Sequence, residues 1–242
     1  MQQKIEIVVA RFNESLNWTN EYPFNLFKYT VYNKGPNEKF VKTRVAKIIN
    51  LPNMGRCDHT YLHHIVENFD SGLAPVVVFL PGSVNDPSKK PKAIFILKYI
   101  LANRKGVMCV QNVHRSVYHT FNTFTLDHWT CSNAENRFVN SESVLTMAKI
   151  RPFGAWYRYF FGNIVVPYAC LQGVFAVDRR DIKKMGKQKY IQLCNATMAS
   201  SNPEVGHYVE RAWTSIFYPL LYTQVHKLGK IGSVVIPKIY NS

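Results

Sequence analysis

The chain is expected to fold as an α/β protein, a sheet with helices front and back, on three observations. Val76-Val77-Val78-Phe79-Leu80 is a continuous apolar run closed by Pro81-Gly82, the pattern of a strand covered on both faces. Leu62, Ile65, Val66 and Phe69 recur at the i, i+3, i+4, i+7 spacing of one buried helical face. Ahead of both, Lys4–Ala10 (KIEIVVA) and Phe27–Tyr32 (FKYTVY) have the β-branched, apolar content of strands, the second halted by Asn33-Lys34-Gly35-Pro36.

Taken in order, the first strand ends at Arg11-Phe12-Asn13-Glu14. Ligands of open α/β sheets bind outside the carboxyl ends of strands, so Arg11, Asn13 and Glu14 are site candidates; the competing reading makes them loop residues with local hydrogen bonds. A short third strand, Ile48–Leu51, leads into the stretch Leu51–Gly82. There Asp58 is the expected N-cap of a helix over 58–69, and Gly55 permits a tight or left-handed turn before it. Asn53, Gly55 and Arg56 sit in that turn, where a guanidinium beside free helical N–H groups suits phosphate. Ser83–Pro91 reads as a solvated loop and Ala93–Ala102 as a helix on the spacing of Ile94, Leu97, Ile100 and Leu101. Phe121–Thr130 mixes β-formers and aromatics, and Ser132–Phe153 carries few signals.

Strands are expected at Ile164–Tyr168 and Gly173–Val177. Asp178 then caps a helical region to about Met198, broken at Gly186. Asn202-Pro203 reads as a helix start, Asn at the cap and Pro at the first position. Val205, Val209, Ala212 and Ile216 make its apolar stripe, beside a polar face of His207, Glu210, Arg211 and Thr214. A last strand is expected at Val234–Ile239. No repeat and no linker interrupts the 242 residues, so one domain, 1–242, is expected.

Composition narrows the function classes. Nearly half the residues are apolar, so disorder is excluded. No apolar run approaches the roughly 20 residues of a membrane span, and charge follows the N-terminus too soon for a signal peptide. The expected location is the cytoplasm, that of a host if the chain is viral. Five scattered cysteines without a CxxC pair speak against structural zinc and a disulfide framework. The net charge of +15 implies an anionic partner: nucleic acid, a membrane surface or a phosphorylated small molecule.

The segment Asn202–Trp213 is the richest in usable groups. Glu204, His207 and Glu210 stand at i, i+3, i+6, so His207 and Glu210 can reach one cleft, and a carboxylate there can deprotonate a hydroxyl nucleophile. The competing reading pairs Glu210 with Arg211 and buries His207 as a hydrogen-bonded core histidine. His59 and His63 are i, i+4, but DHTYLHH lacks the Glu of HExxH, so hydrogen-bonding histidines are favoured over zinc. No GxGxxG, GxxxxGK[ST] or GxSxG motif occurs, and the aromatics do not follow the RNP pattern of an RNA-binding sheet.

ARFNESLNW (10–18), YNKG (32–35), LPNMGRCDHTYLHHIVENFD (51–70), VVVFLPG (76–82), RPFGAWY (151–157), GVFAVDRRDI (173–182) and NPEVGHYVERAW (202–213) stand in the order seen in a family of fungal, bacterial and large-DNA-virus proteins. Those proteins resemble small glycosyltransferases, and the NxGR turn is similar to one in bacterial rhamnan-type glycosyltransferases. The resemblance spans Ala10 to about Phe217. It implies a single GT-A-like domain, a mixed, mostly parallel sheet with a nucleotide-sugar site at its carboxyl edge.

Carried onto this sequence, the resemblance puts Arg11, Asn13 and Glu14 in the nucleotide pocket, with Asn53 and Arg56 at the base, ribose or diphosphate. Gly173–Val177 would build the acceptor side, with Glu210, or in its place Glu204, as base of an inverting reaction. The implied donor is a UDP-sugar or similar, and the acceptor a glycan or glycoprotein hydroxyl. The Asp-x-Asp motif that commonly holds Mn or Mg is absent, and Asp86 stands too far along VFLPGSVND to replace it. A divalent metal would need unusual ligands, with His207 the candidate; otherwise Arg56 and lysines take its place. The alternatives are a nucleic-acid-binding protein, disfavoured by the missing RNP pattern, and a non-catalytic glycosyltransferase-like scaffold.

Overall fold

The computed structural model describes residues 5–129 and 143–230. The expected strand at Val234–Ile239, Cys131 and residues 132–142 of the 132–153 region lie outside the described residues. Ten strands are described: β1 (Ile5–Arg11), β2 (Tyr29–Asn33), β3 (Val45–Asn50), β4 (Val76–Pro81), β5 (Val107–Asn112), β6 (Leu145–Thr146), β7 (Tyr168–Ala169), β8 (Phe175–Asp178), β9 (Asn202–Pro203) and β10 (Gln224–Lys230). The helices are α1 (Arg56–Asn68), α2 (Lys90–Asn103), α3 (Val117–Phe121), α4 (Phe153–Phe161), α5 (Arg179–Lys183), α6 (Lys187–Ala196) and α7 (Glu204–Ile216). Among the described residues no helix is long and apolar enough to cross a membrane.

The main sheet runs β3-β2-β1-β4-β8, its first four strands parallel and β8 antiparallel to β4. A smaller sheet runs β10-β5-β7, and β6 pairs with β9. The architecture is α/β with mixed sheets flanked by helices, as the apolar runs imply. On β1 and β4, Val8, Ala10, Val77 and Phe79 enter one apolar cluster with Tyr61, Leu62 and Trp213 of α1 and α7. Ile7, Val9, Val76, Val78 and Leu80 enter the other with Ala93, Ile96, Leu97 and Ile100 of α2. Both faces of these strands are dry because successive side chains point to opposite sides of the sheet.

Chain order matters for the site. From β1 the chain steps outward to β2 and β3, then returns to place β4 on the other flank of β1. The carboxyl ends of β1 and β4 therefore border a topological switch point, the crevice where ligands of open α/β sheets bind.

Several elements differ from expectation. The 58–69 helix begins at Arg56, with Gly55 in the left-handed N-cap position; Asp58 lies inside the first turn and is not the cap. The strand expected at 164–168 shrinks to Tyr168–Ala169. Phe121 ends α3, Asn122 and Thr123 form a turn, and residues 124–126 take no regular structure. Pro203, not Asn202, takes the N-cap position of α7, because Asn202-Pro203 is spent pairing with Leu145-Thr146. β5 and α3 are not anticipated: α2 ends on Arg104 in the left-handed conformation, with no breaker before Gly106 to announce a new strand. Asp178 does cap α5, accepting from the Arg180 N–H at 2.9 Å, and the helical region breaks at Gly186.

Candidate functional site

At the end of β1 the Arg11 side chain is fully buried. Its Nε donates to the Glu14 carbonyl at 2.7 Å, and Nη1 donates to the Phe12 carbonyl and Asn33 Oδ1. The guanidinium lies 4.0 Å above the Phe40 ring. These bonds fold residues 11–14 into a hook, and the Phe12 N–H closes it on Glu14 Oε2 at 2.7 Å. Gly82, after β4, meets the hook so closely that a Cβ there would stand 2.6 Å from Glu14 Oε2. The Gly82 N–H donates to the Ala10 carbonyl at 2.7 Å, which closes the two strand ends together.

The other wall is the turn into α1. Gly55 has φ +60°, and a Cβ on it would lie 2.5 Å from the Thr197 carbonyl. Arg56 follows at φ 54°, a conformation costing a non-glycine residue about 1–2 kcal/mol. The Gly55 and Arg56 N–H groups donate to the Ser200 and Ser201 carbonyls, and Lys34 Nζ from the end of β2 donates to the Met54 and Arg56 carbonyls. Burial pushes Lys34 down to about 8. That buried ammonium pins the turn and holds Arg56 in its strained backbone.

Arg56 Nη1 donates to His207 Nδ1 at 2.7 Å and reaches Glu210 Oε2 at 3.3 Å. A guanidinium only donates, so Nδ1 is an acceptor; the His207 proton therefore sits on Nε2, 2.8 Å from Asn202 Oδ1. The Gln172 N–H donates to Glu210 Oε1 at 2.8 Å, and the Trp129 ring lies 5.9 Å from the guanidinium. Burial resists ionisation of Glu210, but Arg56, then His207 and Arg211, outweigh it and lower its pKa. Burial first, then Arg56, brings His207 down to about 2.

Registry between the two helices comes from one turn further along. Trp213 Nε1 donates to Asp58 Oδ1 at 2.8 Å, and burial raises the Asp58 pKa against the pull of Arg56 and this bond. Trp213 also packs on Tyr61 and Phe175, ring centroids 6.0 and 5.0 Å away. With that contact set, Glu210 faces Arg56 and the Gln172 N–H.

The hook, the turn and α7 enclose a cleft of about 300 Å³. Arg11, Glu14, Asn53, Arg56 and Glu210 line it, joined by Lys34, Asp86, Lys89, Trp129, Gln172 and Asn202. Asp86 accepts from the Ser88 N–H and hydroxyl at 2.8 and 2.6 Å, and Lys89 Nζ donates to Ser83 Oγ at 2.9 Å. Asp86 stands in the cleft because the loop after β4 doubles back, a path its distance along the sequence conceals.

A model of a family of proteins of unknown function, DUF3431, matches residues 7–226. The chain belongs to the DUF3431 family. A search among curated proteins finds no match.

In this DUF3431 member, three of the candidates named from the sequence do not occupy the roles given them there. Asn13 is outside the cleft; its Oδ1 accepts from the Asn37 N–H at 3.2 Å. Glu204 is fully buried on another side of α7, where its oxygens accept from the Leu126 and Ala148 N–H groups, the Tyr208 hydroxyl and Arg151 Nε at 2.7–2.9 Å. It touches no part of the cleft. His207 spends one nitrogen on Arg56 and the other on Asn202, leaving none for a metal. Among the described residues no group of three or more His, Cys, Asp or Glu is placed to hold an ion. His59 and His63 stack at 6.0 Å, and burial lowers His59 to about 4.

The residues missed by sequence reasoning, Lys34, Trp129, Gln172 and Asn202, come from four separate loops or strand ends. Two signals were visible, the Asn33–Pro36 turn and the Asn202-Pro203 helix start, and neither marked Lys34 or Asn202 as a site residue.

The buried neutral His207 has a measurable consequence. The unfolded chain takes up this proton near the ordinary histidine value of 6.5, while the folded protein does so only near 2. Stability from this group is therefore complete above about pH 6.5 and is lost as pH falls. Asp58, with its raised value, titrates in the opposite sense. The difference between parent and His207→Gln is thus the quantity to read. Thermal melts from pH 7 to 4 are expected to fall more steeply for the parent.

Proposed function

We propose that the cleft binds the diphosphate of a nucleotide sugar, UDP-sugar favoured, and that the chain is a glycosyltransferase of GT-A-like fold. One observation carries this reading: a phosphate-ready arginine, Arg56, and an ionised carboxylate, Glu210, face each other across a cleft at the β1–β4 switch point. The proposed acceptor is a glycan or glycoprotein hydroxyl.

Arg56 and Lys89 are the cations suited to the leaving diphosphate. The residues present do not fit Mn or Mg: among the described residues no three of His, Cys, Asp and Glu are placed to hold an ion, and His207 is engaged on both nitrogens. Glu210 paired with Arg56 is a weak base, because the guanidinium stabilises its charge. A diphosphate that draws Arg56 to itself removes that stabilisation. Glu210 then regains basicity once donor is bound, and takes the proton of the acceptor hydroxyl as its oxygen attacks the anomeric carbon. The pairing would also restrain the carboxylate from activating water while no donor is present.

The test is titration with UDP and GDP followed by thermal melting. A ligand at a hundredfold excess over its Kd stabilises by about 2.7 kcal/mol, a rise of about 5–10 °C for a chain of this size. No shift with either nucleotide, and no hydrolysis of any nucleotide sugar, would remove the reading.

A further inference from the structure

A second charged surface lies away from the cleft and shares no lining residue with it. The short α5 presents Arg179 and Lys183 toward the Asp70–Leu73 turn, where Asp70, Ser71, Leu73, Arg179, Arg180 and Lys183 border a hollow of about 250 Å³. Lys183 Nζ donates to the Asp70 carbonyl, and the Asp70 carboxylate pairs with Lys187 at 2.6 Å. On its other side α5 grips the segment after α7. Asp181 accepts the N–H groups of Leu221, Tyr222 and Thr223, Lys184 Nζ donates to the Phe217 and Pro219 carbonyls, and the Arg180 guanidinium lies 3.9 Å above the Tyr222 ring.

That anchorage holds apolar side chains out into solvent: Leu221 is 64% exposed, Tyr222 42% and Tyr218 37%. Ile164 and Val165 are exposed as well. The Tyr157 hydroxyl lies between the Ile164 carbonyl (3.0 Å) and Ser215 Oγ (2.9 Å), which sets their turn against the end of α7. Arg180 is paired with Asp178 and Lys184 with Asp181, each at 2.9 Å, so Arg179 and Lys183 are the α5 cations that form no ion pair among the described residues. A rigidly supported apolar ridge next to them is costly to leave in water without a partner.

We propose that this surface docks on an anionic lipid bilayer, the ridge entering the headgroup boundary while the α5 cations meet lipid phosphates and carboxylates. Charge complementarity selects an anionic partner, and the shape of the ridge selects a membrane over nucleic acid. Leu221, the most exposed of the three, is aliphatic, and one face of the Tyr222 ring is covered by Arg180. Docking by one ridge and a basic patch is reversible, so the protein would partition between membrane and solution.

Cosedimentation of the full chain with phosphatidylcholine vesicles, with and without phosphatidylserine, tests this. Binding is expected only with phosphatidylserine present and is expected to weaken as salt rises. Leu221→Asp should lower partitioning about tenfold or more, and Arg179→Ala and Lys183→Ala about fivefold each. These side chains are exposed, so melting curves should match the parent, and Arg56→Ala in the cleft should bind vesicles as the parent does. Any one of three results overturns the proposal: no binding to phosphatidylserine vesicles, binding unchanged by Leu221→Asp together with the two alanine variants, or affinity for a homopolymer RNA that those variants abolish while vesicle binding persists.

Discussion

Glu210→Gln is expected to lower the sugar-transfer rate by about three orders of magnitude, within the range general bases contribute, while nucleoside diphosphate binding survives. Glutamine has the shape of the native side chain and still offers an oxygen to the Gln172 N–H, now 2.8 Å from Glu210 Oε1. What it removes is the charge that Arg56 faces at 3.3 Å and the site that would accept the acceptor's proton. Arg56 keeps His207 Nδ1 as an acceptor and loses its counter-ion, so its attraction for a diphosphate should hold or increase. The diagnostic pattern is therefore a fall in kcat with UDP affinity equal to or above the parent's. Turnover at the parent rate with saturating donor would strike Glu210 from the role of base. Transfer undetectable in both proteins, with UDP still bound, would favour the scaffold reading.

Glu204→Ala is expected to unfold far more easily, by about 3–5 kcal/mol, since several buried donors lose their acceptor at about 1–3 kcal/mol each. The Leu126 and Ala148 N–H groups, the Tyr208 hydroxyl and Arg151 Nε all converge on this carboxylate. Alanine would strand several of these donors in a place water cannot reach. In a chain of this size the loss corresponds to a drop of about 6–20 °C in Tm. Glu204→Gln should fall between the two, since an amide keeps one acceptor but turns an NH2 toward donors. A melting temperature unchanged by Glu204→Ala would show that this network does not hold α7 to its neighbours. The two glutamates of one helix are thus expected to separate, one acting on rate and the other on stability.

Their separation shows what could be read from one dimension. Helical spacing at i, i+3, i+6 lets His207 and Glu210 reach one cleft from α7, but the cleft is met by one angle of that helix only. The angle is set by Trp213 on Asp58 and by the apolar stripe Val205, Val209, Ala212 and Ile216 against the sheet. Glu204, at the first turn, is rotated toward Leu126 and Ala148, into donors that the sequence places more than fifty residues away. The assignment of Asn202 as a helix cap missed for a related reason. A two-residue pairing with Leu145-Thr146, invisible to any local pattern, took that residue out of the cap position and gave its side chain to His207.

Amino-acid order alone determined the α/β character, the double-sided burial of β1 and β4, the helix after Gly55, the break at Gly186 and the cationic excess, because each rests on local periodicity, backbone preference or composition. It also brought Arg11, Glu14, Asn53, Arg56 and Glu210 to notice through the ends of strands and helices. Only the folded chain decided that these five border one cleft, that Lys34, Asp86, Trp129, Gln172 and Asn202 complete it, and that Asn13 and Glu204 turn elsewhere. The physical reason is that strand order and helix rotation are set by contacts between residues distant in sequence, through packing free energies that no short window contains.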